Sequence, residues 1–190
     1  MLNKKPFRIA ISGRSGCGNS TVSTILSERM HLKLVNYTFH NIAKDRGIDF
    51  IKLCEMAEED PQWDYFVDEN QVKLAMEDSS VLGSRLAIWM LKEADLKVFL
   101  TASPETRAFR IYEREGGVFE QRMVETHARD ERDHARYKKL YEIDTDDYAF
   151  ADLVINTNRL NQHQVADIIE AAAKVVVGKK KDDLKQERQD

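Results

Sequence analysis

The chain has 190 residues, 42% of them hydrophobic and 33% charged, with a formal net charge of -4. This length and composition predict one globular domain with a full core, and the acidic balance argues against a non-specific nucleic-acid binder, which needs a basic surface. A polar N-terminus, no apolar run of membrane-spanning length and only two cysteines predict a cytoplasmic protein without a signal peptide, a membrane span or a disulfide framework.

The first predicted elements flank a cluster of glycines. FRIAIS (7–12) is a short apolar run that predicts a buried strand, and apolar residues at helical spacing after the glycines predict a helix. LKLVN (32–36) predicts a second strand, and two short helices are expected next, over 38–46 and 49–58. The glycine cluster is therefore expected at the carboxyl end of a buried strand.

The middle of the chain continues this alternation of strands and helices. Asp60-Pro61 is a favourable cap and first turn for the next helix. SSVLGS (79–84) and LKVFLT (96–101) predict the third and fourth strands. Ser103-Pro104 begins another helix, which Gly116-Gly117 ends.

The last third predicts two helices around a fifth strand. A long polar helix is expected over 119–141, a strand over 152–156 and an apolar-faced helix over 162–177. Residues 1–178 are therefore interpreted as one α/β domain with a five-stranded parallel sheet flanked by helices, and the charged segment 179–190 as a disordered tail. Sheets of this kind bind ligands at the carboxyl ends of their strands.

The stretch GRSGCGNS (13–20) closely resembles a phosphate-binding loop. The pattern G-x-x-x-x-G-K-[ST] fits at Gly13, Gly18 and Ser20, and Asn19 replaces the lysine. Glycines allow backbone N–H groups to turn inward around an anion, and the following helix adds its own free N–H groups. A flexible strand-to-helix turn is the alternative, but the order of strand, glycines, hydroxyls and helix favours phosphate binding, with Ser20 placed to coordinate Mg²⁺.

Asn19 weakens the electrostatics of this loop. A lysine here normally bridges the β- and γ-phosphates and offsets charge in the transition state, whereas asparagine offers a hydrogen bond without charge. Arg14, in the same loop, is a hypothetical source of the missing charge. Cys17 is interpreted as a small neutral filler, with oxidation sensitivity as a minor alternative.

Arginines recur at helical spacing in two of the predicted helices. These one-face sets are Arg107, Arg110 and Arg114 in the first helix and Arg129, Asp133 and Arg136 in the second. Charge pairing within the helices is poor, which argues against a merely solvated surface. Arginine also binds phosphate through two donors at once, so a solvated face and a phosphate site stay equally open on the pattern alone.

Three stretches of the sequence resemble cytidylate kinases, members of the P-loop nucleoside monophosphate kinase group. They are the glycine loop, SRLAIWMLKEADLKVFLTASPETRAFRI (84–111) and RDERDHARYKKLY (129–141). The likeness covers about residues 7–172, and Arg85, ADLK (94–97) and R-D-x-R-D-x-x-R carry most of it. The last pattern resembles that of bacterial members, whereas RYKKLY with the following Ile143-Asp144 looks like the compact archaeal type.

The resemblance implies phosphoryl transfer from ATP-Mg²⁺ to CMP or dCMP, within pyrimidine nucleotide metabolism, with small-molecule partners and neither nucleic acid nor membrane. It implies a three-layer P-loop NTPase fold with a nucleoside-monophosphate-binding region at about 37–78 and a lid at about 104–136. The implied ATP-binding residues are Gly13, Arg14, Ser15, Gly16, Cys17, Gly18, Asn19, Ser20, Thr21, Arg110 and Arg114, with Ser20 as the Mg²⁺ ligand.

The resemblance also implies an acceptor site and a catalytic set. The implied acceptor residues are Phe39, His40, Arg85, Arg129 and Asp133, and the implied catalytic residues are Arg85, Arg129 and Arg136. Arg85 and Arg129 would grip the acceptor phosphate, Asp133 would accept a hydrogen bond from the cytosine amino group, and Arg136 would stabilise the transferring phosphoryl group.

Four positions depart from the family pattern, and each departure removes charge. They are Asn19, His40 in place of an arginine, Asn70 where an arginine is expected nearby, and Gly83 in place of an acidic residue. A nucleotide-binding homologue with weakened catalysis is therefore the main alternative, and a kinase with another base preference is a third hypothesis. The arginines of 129–136 favour the cytidylate kinase.

Overall fold

Five parallel strands form the centre of the fold. The structure, a computed structural model, describes residues 5–186, without the side chains of Cys54, Glu58 and 179–186. The strands are β1 (Arg8–Gly13), β2 (Lys33–Val35), β3 (Ser80–Gly83), β4 (Leu96–Thr101) and β5 (Leu153–Asn156). Their order across the sheet is β2-β3-β1-β4-β5, and all neighbouring pairs are parallel. The predicted five-stranded parallel sheet is confirmed.

Eight helices connect and cover these strands in the described part of the chain. They are α1 (Asn19–Met30), α2 (Phe39–Arg46), α3 (Phe50–Glu59), α4 (Gln62–Met76), α5 (Ala87–Met90), α6 (Pro104–Glu115), α7 (Phe119–Tyr141) and α8 (Gln162–Gln186). The sequence predicts all of them except α5. That helix has only 4 residues, too few to show a helical period.

The last helix is longer than the sequence predicts. α8 continues to Gln186, so residues 179–186, expected to be part of a disordered tail, are helical, while 187–190 lie outside the described residues. Extension of an existing helix needs no new nucleus, and Lys, Leu and Gln are good helix formers. Low hydrophobicity alone therefore does not end this helix.

Alternate residues of β1 contribute to two cores on opposite faces of the sheet. Ile9 and Ile11 lie in the core that includes residues of α1 and α8, whereas Ala10 lies in the core that includes residues of α4 and α5. A third, smaller core joins α2, α3 and α4 around Ile42 and Leu53. Helices thus cover the sheet on both faces, as a three-layer α/β fold requires.

The carboxyl ends of β1 and β3 lie side by side, because Ile11 pairs with Gly83. The glycine loop (13–20) follows β1, and the segment that carries Arg85 follows β3, so the topology brings both to one edge of the sheet. α6 and α7 pack against each other. None of the helices in residues 5–186 combines the length and the apolar character needed to cross a membrane.

Candidate functional site

A cavity of about 830 Å³ opens at this edge of the sheet. Residues of the glycine loop, α4, the segment after β3, α6 and the start of α8 line it. The volume lies within the usual range for ligand sites, and the lining combines guanidinium groups, carboxylates and backbone amides. The cavity can therefore accommodate a ligand that is charged in one part and neutral in another.

The glycine loop requires glycine for two different reasons. Gly16 and Gly18 have φ angles of 82° and 94°, in the left-handed region that favours glycine. A Cβ on Gly16 would also lie 2.7 Å from the carbonyl oxygen of Arg107, because the loop packs tightly on α6 there. Gly18 is the N-cap of α1 and provides no side-chain cap, so the N–H groups of the first turn point to an anion site.

Asn19, at the lysine position of the loop, lies in a neutral corner. Ser23 Oγ donates to Asn19 Oδ1 at 3.4 Å. Gly83 packs against the same serine, since a Cβ at this glycine would lie 2.4 Å from Ser23 Oγ. The two positions that lack an expected charge are therefore neighbours, and Ser23 occupies the space that a side chain at position 83 would need.

Arg14 lines the cavity, but its charge is already engaged by carboxylates. Its guanidinium forms an ion pair with Asp146 and lies 3.9 Å from Asp130 Oδ2. Both contacts compete with any phosphate for the same positive charge. The hypothesis that Arg14 replaces the missing lysine therefore gains no support from the geometry.

Ser15 is the point where the glycine loop meets the arginines of the later helices. Arg85 Nη2 donates to Ser15 Oγ at 3.0 Å, and Arg129 Nη1 donates to the same oxygen at 3.5 Å. Arg107 is buried, pairs with Asp130 at 2.6 Å and donates to the Ser15 carbonyl oxygen at 3.1 Å. Three guanidinium groups thus contact one residue of the loop. Arg107 is buried and already paired with Asp130, so Arg85 and Arg129 are the two that could turn to a phosphate.

Arg110 and Arg114 of α6 both line the cavity, but they differ in exposure and in hydrogen bonding. Arg110 donates to the carbonyl oxygens of Gly16 at 3.3 Å and of Thr157 at 2.6 Å, which ties α6 to the loop. Arg114 is exposed and pairs with Glu115 at the surface. Arg110 is therefore part of a fixed wall, whereas Arg114 has room to reorient toward a ligand.

Phe39 and His40 are neighbours in sequence, but the structure separates them. Phe39 lines the cavity. His40 does not line it; its ring is exposed and stacks on Phe50, with 3.7 Å between the ring centroids. His40 therefore lies apart from the residues that the structure brings together around the cavity.

Arg129, Asp133 and Arg136 of α7 are not among the residues that line the main cavity. Asp133 pairs with Arg85 at 3.1 Å, in a recess of about 20 Å³ next to the main cavity. Arg136 forms an ion pair with Asp64 of α4. The predicted arginine face of α7 thus reaches the site through partners that themselves line it.

A polar face of α4 is the part of the site that sequence reasoning misses. Asp64, Asp68 and Gln71 lie at i, i+4 and i+7, and all three line the cavity. Tyr141 Oη donates to Asp68 Oδ2 at 2.6 Å, and Gln71 Nε2 donates to the carbonyl oxygen of Tyr37 at 2.5 Å. Their helical spacing was the available signal, the same one that identified the arginine faces.

Burial changes the ionisation of two groups in the site. It raises the pKa of the Asp68 carboxyl to about 6, against the opposing effect of the hydrogen bond from Tyr141. It raises the pKa of the Cys17 thiol to about 11, with Arg107 acting in the opposite direction. Cys17 is therefore a neutral thiol at physiological pH, in agreement with its interpretation as a filler.

Residues 8–159 match the model of the cytidylate kinase-like family. A protein named cytidylate kinase 2 from Borreliella afzelii (strain PKo) is 44% identical over 167 residues, which cover 86% of this chain and 94% of that protein. A cytidylate kinase from Archaeoglobus fulgidus is 37% identical over 172 residues, which cover 89% of this chain and 96% of that protein.

Solved structures share the fold at lower sequence identity. An uncharacterized protein from Eubacterium ventriosum ATCC 27560 has a TM-score of 0.67 at 20% identity, covering 90% of this chain and 99% of its own. Shikimate kinase from Acinetobacter baumannii has a TM-score of 0.56 at 17% identity, covering 87% and 91%. These structures share the α/β fold of this chain. The match to the family model and the sequence relatives show that the chain belongs to the cytidylate kinase-like family.

Proposed function

We propose that the protein transfers a phosphoryl group from ATP to CMP or dCMP and produces the nucleoside diphosphate. The observation that carries this proposal is the meeting of the glycine loop with Arg85 at Ser15, within one cavity. Phosphoryl transfer depends on positioning and positive charge more than on covalent chemistry, and a phosphate cradle opposite a guanidinium supplies both. Membership of a kinase family supports the same reaction class.

The donor nucleotide is assigned to the side of the cavity formed by the glycine loop, α6 and the start of α8. Backbone N–H groups at the start of α1 would hold the ATP phosphates, and Arg110 and Arg114 would add charge. Ser20 fits a Mg²⁺ site, because it lines the cavity, is exposed and its hydroxyl makes no hydrogen bond within the described residues. Mg²⁺ held there with the nucleotide would neutralise charge on the phosphate oxygens.

The acceptor nucleotide is assigned to the side formed by α4 and the segment after β3. Arg85 would bind its phosphate, with Arg129 beside it at Ser15. Phe39 and Val67 contribute apolar surface on this side. The acceptor phosphate would then lie next to the glycine loop, where in-line attack on the donor requires it.

A nucleotide-binding role with weakened catalysis is the second candidate function. The neutral corner of Asn19, Ser23 and Gly83 favours it, because the side chain at the lysine position contacts a neutral serine there. Arg136 favours it too, since its ion pair with Asp64 must be exchanged before it can stabilise a transferring phosphoryl group.

Turnover with a panel of acceptors separates the two candidates. Purified protein is incubated with ATP-Mg²⁺ and CMP, dCMP, UMP, AMP or GMP, and diphosphate formation is followed against a blank without acceptor. The kinase proposal predicts turnover with CMP or dCMP above that with the other acceptors. Measurable binding of ATP and CMP without diphosphate from any acceptor would favour the binding role.

A further inference from the structure

The cavity presents unpartnered hydrogen-bond acceptors on its α4 wall. Asp68 Oδ2 accepts a hydrogen bond from Tyr141, and Gln71 Nε2 donates one to the carbonyl oxygen of Tyr37. Asp68 Oδ1 and Gln71 Oε1 make no hydrogen bond with any other described residue. Gln71 is only 7% exposed as a residue and lines the cavity, so its accessible amide oxygen faces the space that a ligand would fill. We therefore expect the ligand that fills this part of the cavity to donate hydrogen bonds to both oxygens.

The hydroxyl that holds Asp68 is itself fixed in place. Tyr141 packs edge-on against Tyr65, with 5.2 Å between the ring centroids. Tyr65 Oη in turn donates to the carbonyl oxygen of Leu140 at 3.0 Å. An acceptor held in this way discriminates between ligands more strongly than a mobile one, because little ordering is needed on binding.

Charge determines which part of a nucleotide can lie against α4. The Asp68 carboxylate repels a phosphate, whereas Arg85 attracts one, and Asp64 is already paired with Arg136. The neutral base is then the part of the acceptor that reaches α4. A base with an exocyclic amino group offers donors to Asp68 and Gln71, while uracil offers a carbonyl oxygen in the same place.

We propose that Asp68, together with Gln71, accepts hydrogen bonds from the exocyclic amino group of the acceptor base and thereby selects a 4-aminopyrimidine over uracil. This inference rests on the proposed function, because it concerns the same acceptor side of the cavity. The family resemblance would assign the amino group to Asp133, but that carboxylate pairs with Arg85 at 3.1 Å and does not line the cavity.

Asp68→Asn tests the proposal with almost no change in side-chain size. Tyr141 can still donate to the amide oxygen of the variant, which leaves an NH₂ group for the cavity. Because that group complements the carbonyl oxygen of uracil, the ratio of CMP affinity to UMP affinity is expected to fall by about ten- to a hundredfold. Calorimetry measures both affinities without any need for turnover.

Three further variants control this test. Glu69→Gln is the matched control, because Glu69 is exposed next to Asp68 on α4, and it is expected to leave the affinity ratio unchanged. Asp133→Asn examines the residue that the resemblance implies. Gln71→Leu removes the second acceptor and is expected to weaken CMP binding more than UMP binding. Thermal unfolding of each variant verifies its fold.

An unchanged CMP-to-UMP ratio in both Asp68→Asn and Gln71→Leu overturns the proposal. So does a ratio that changes only in Asp133→Asn. A loss of affinity that is equal for CMP and UMP and smaller for dCMP also overturns it. Asp68 and Gln71 would then accept hydrogen bonds from a sugar hydroxyl, which dCMP lacks, and not from the base. A protein that prefers CMP through Asp68 but forms no diphosphate would support this inference and refute the proposed function.

Discussion

Arg85 makes two contacts at once that tie the glycine loop to α7. One of its nitrogens donates to Ser15 Oγ at 3.0 Å, and the other pairs with Asp133 Oδ2 at 3.1 Å. The planar guanidinium allows both contacts in a fixed geometry, which the point charge of a lysine does not reproduce. Positive charge thus reaches the loop from Arg85 in the segment after β3 and from Arg129 of α7, although Asn19 supplies none.

Arg85→Lys is expected to lower kcat/KM for CMP by about a hundredfold, because a single ammonium cannot hold the loop, Asp133 and a phosphate together.

Asn19→Lys is expected to change kcat by less than about fivefold, since arginines already bring charge to the loop. Steady-state kinetics measure both effects. A large gain in kcat from Asn19→Lys would show that nothing compensates for the missing lysine.

Asp68 makes the stability of the protein depend on pH. Burial raises its pKa from the ordinary value of 3.8 to about 6, so the folded protein holds this proton more tightly than the unfolded chain does. The resulting stabilisation is fully present below about pH 4 and is lost as the pH rises through about 6.

Asp68→Asn removes this dependence. Relative to wild type, the free energy of unfolding of the variant is expected to rise by about 2 kcal/mol between about pH 4 and pH 7. Urea denaturation of both proteins across this range measures the difference. A difference that stays constant with pH would contradict a raised pKa of Asp68 in the folded state.

At the scale of elements, the glycine loop depends on contact with α6 as well as on backbone conformation. Gly16 and Gly18 share a positive φ, but a Cβ would meet Arg107 only at Gly16, where the carbonyl oxygen lies 2.7 Å away. At Gly18 a Cβ would meet nothing within 4 Å. The two positions therefore separate backbone strain from steric contact.

Gly16→Ala is expected to destabilise the protein by about 3 kcal/mol and to abolish tight ATP binding, because the loop must shift off α6. Gly18→Ala, the matched control, is expected to cost only about 1 kcal/mol through backbone strain. Chemical denaturation and ATP titration measure both variants. Equal destabilisation by the two substitutions would mean that packing on α6 contributes nothing.

Most elements could be predicted because they are long or strongly apolar. The strand that leads to the glycine loop and the helix α7 emerge from hydrophobic runs and helical spacing alone. The sequence does not predict α5, because four residues show no helical period. It predicts too early an end for α8, because low hydrophobicity does not prevent a helix from extending. Local sequence therefore identifies elements better than it identifies their ends.

For the whole molecule, the site depends on pairings that sequence spacing does not reveal. The loop residues and the arginines could be singled out, but not that Asp146 would hold Arg14 or that Asp64 would hold Arg136. These partners are far apart in the chain, and packing of the helices decides which carboxylate each arginine meets. For the same reason, the sequence does not show which residues of α4, within the region 37–78 that the resemblance assigns to the acceptor, would face the cavity.

Donor and acceptor nucleotides are expected to share one cavity, with their phosphates between the glycine loop and Arg85. A compound that joins adenosine and cytidine through five phosphates tests it directly by calorimetry. The expected result is one compound bound per protein, about a hundredfold more tightly than ATP or CMP alone, with most of this gain lost in Arg85→Ala. Binding no tighter than that of ATP, with CMP still binding independently, would contradict a shared cavity.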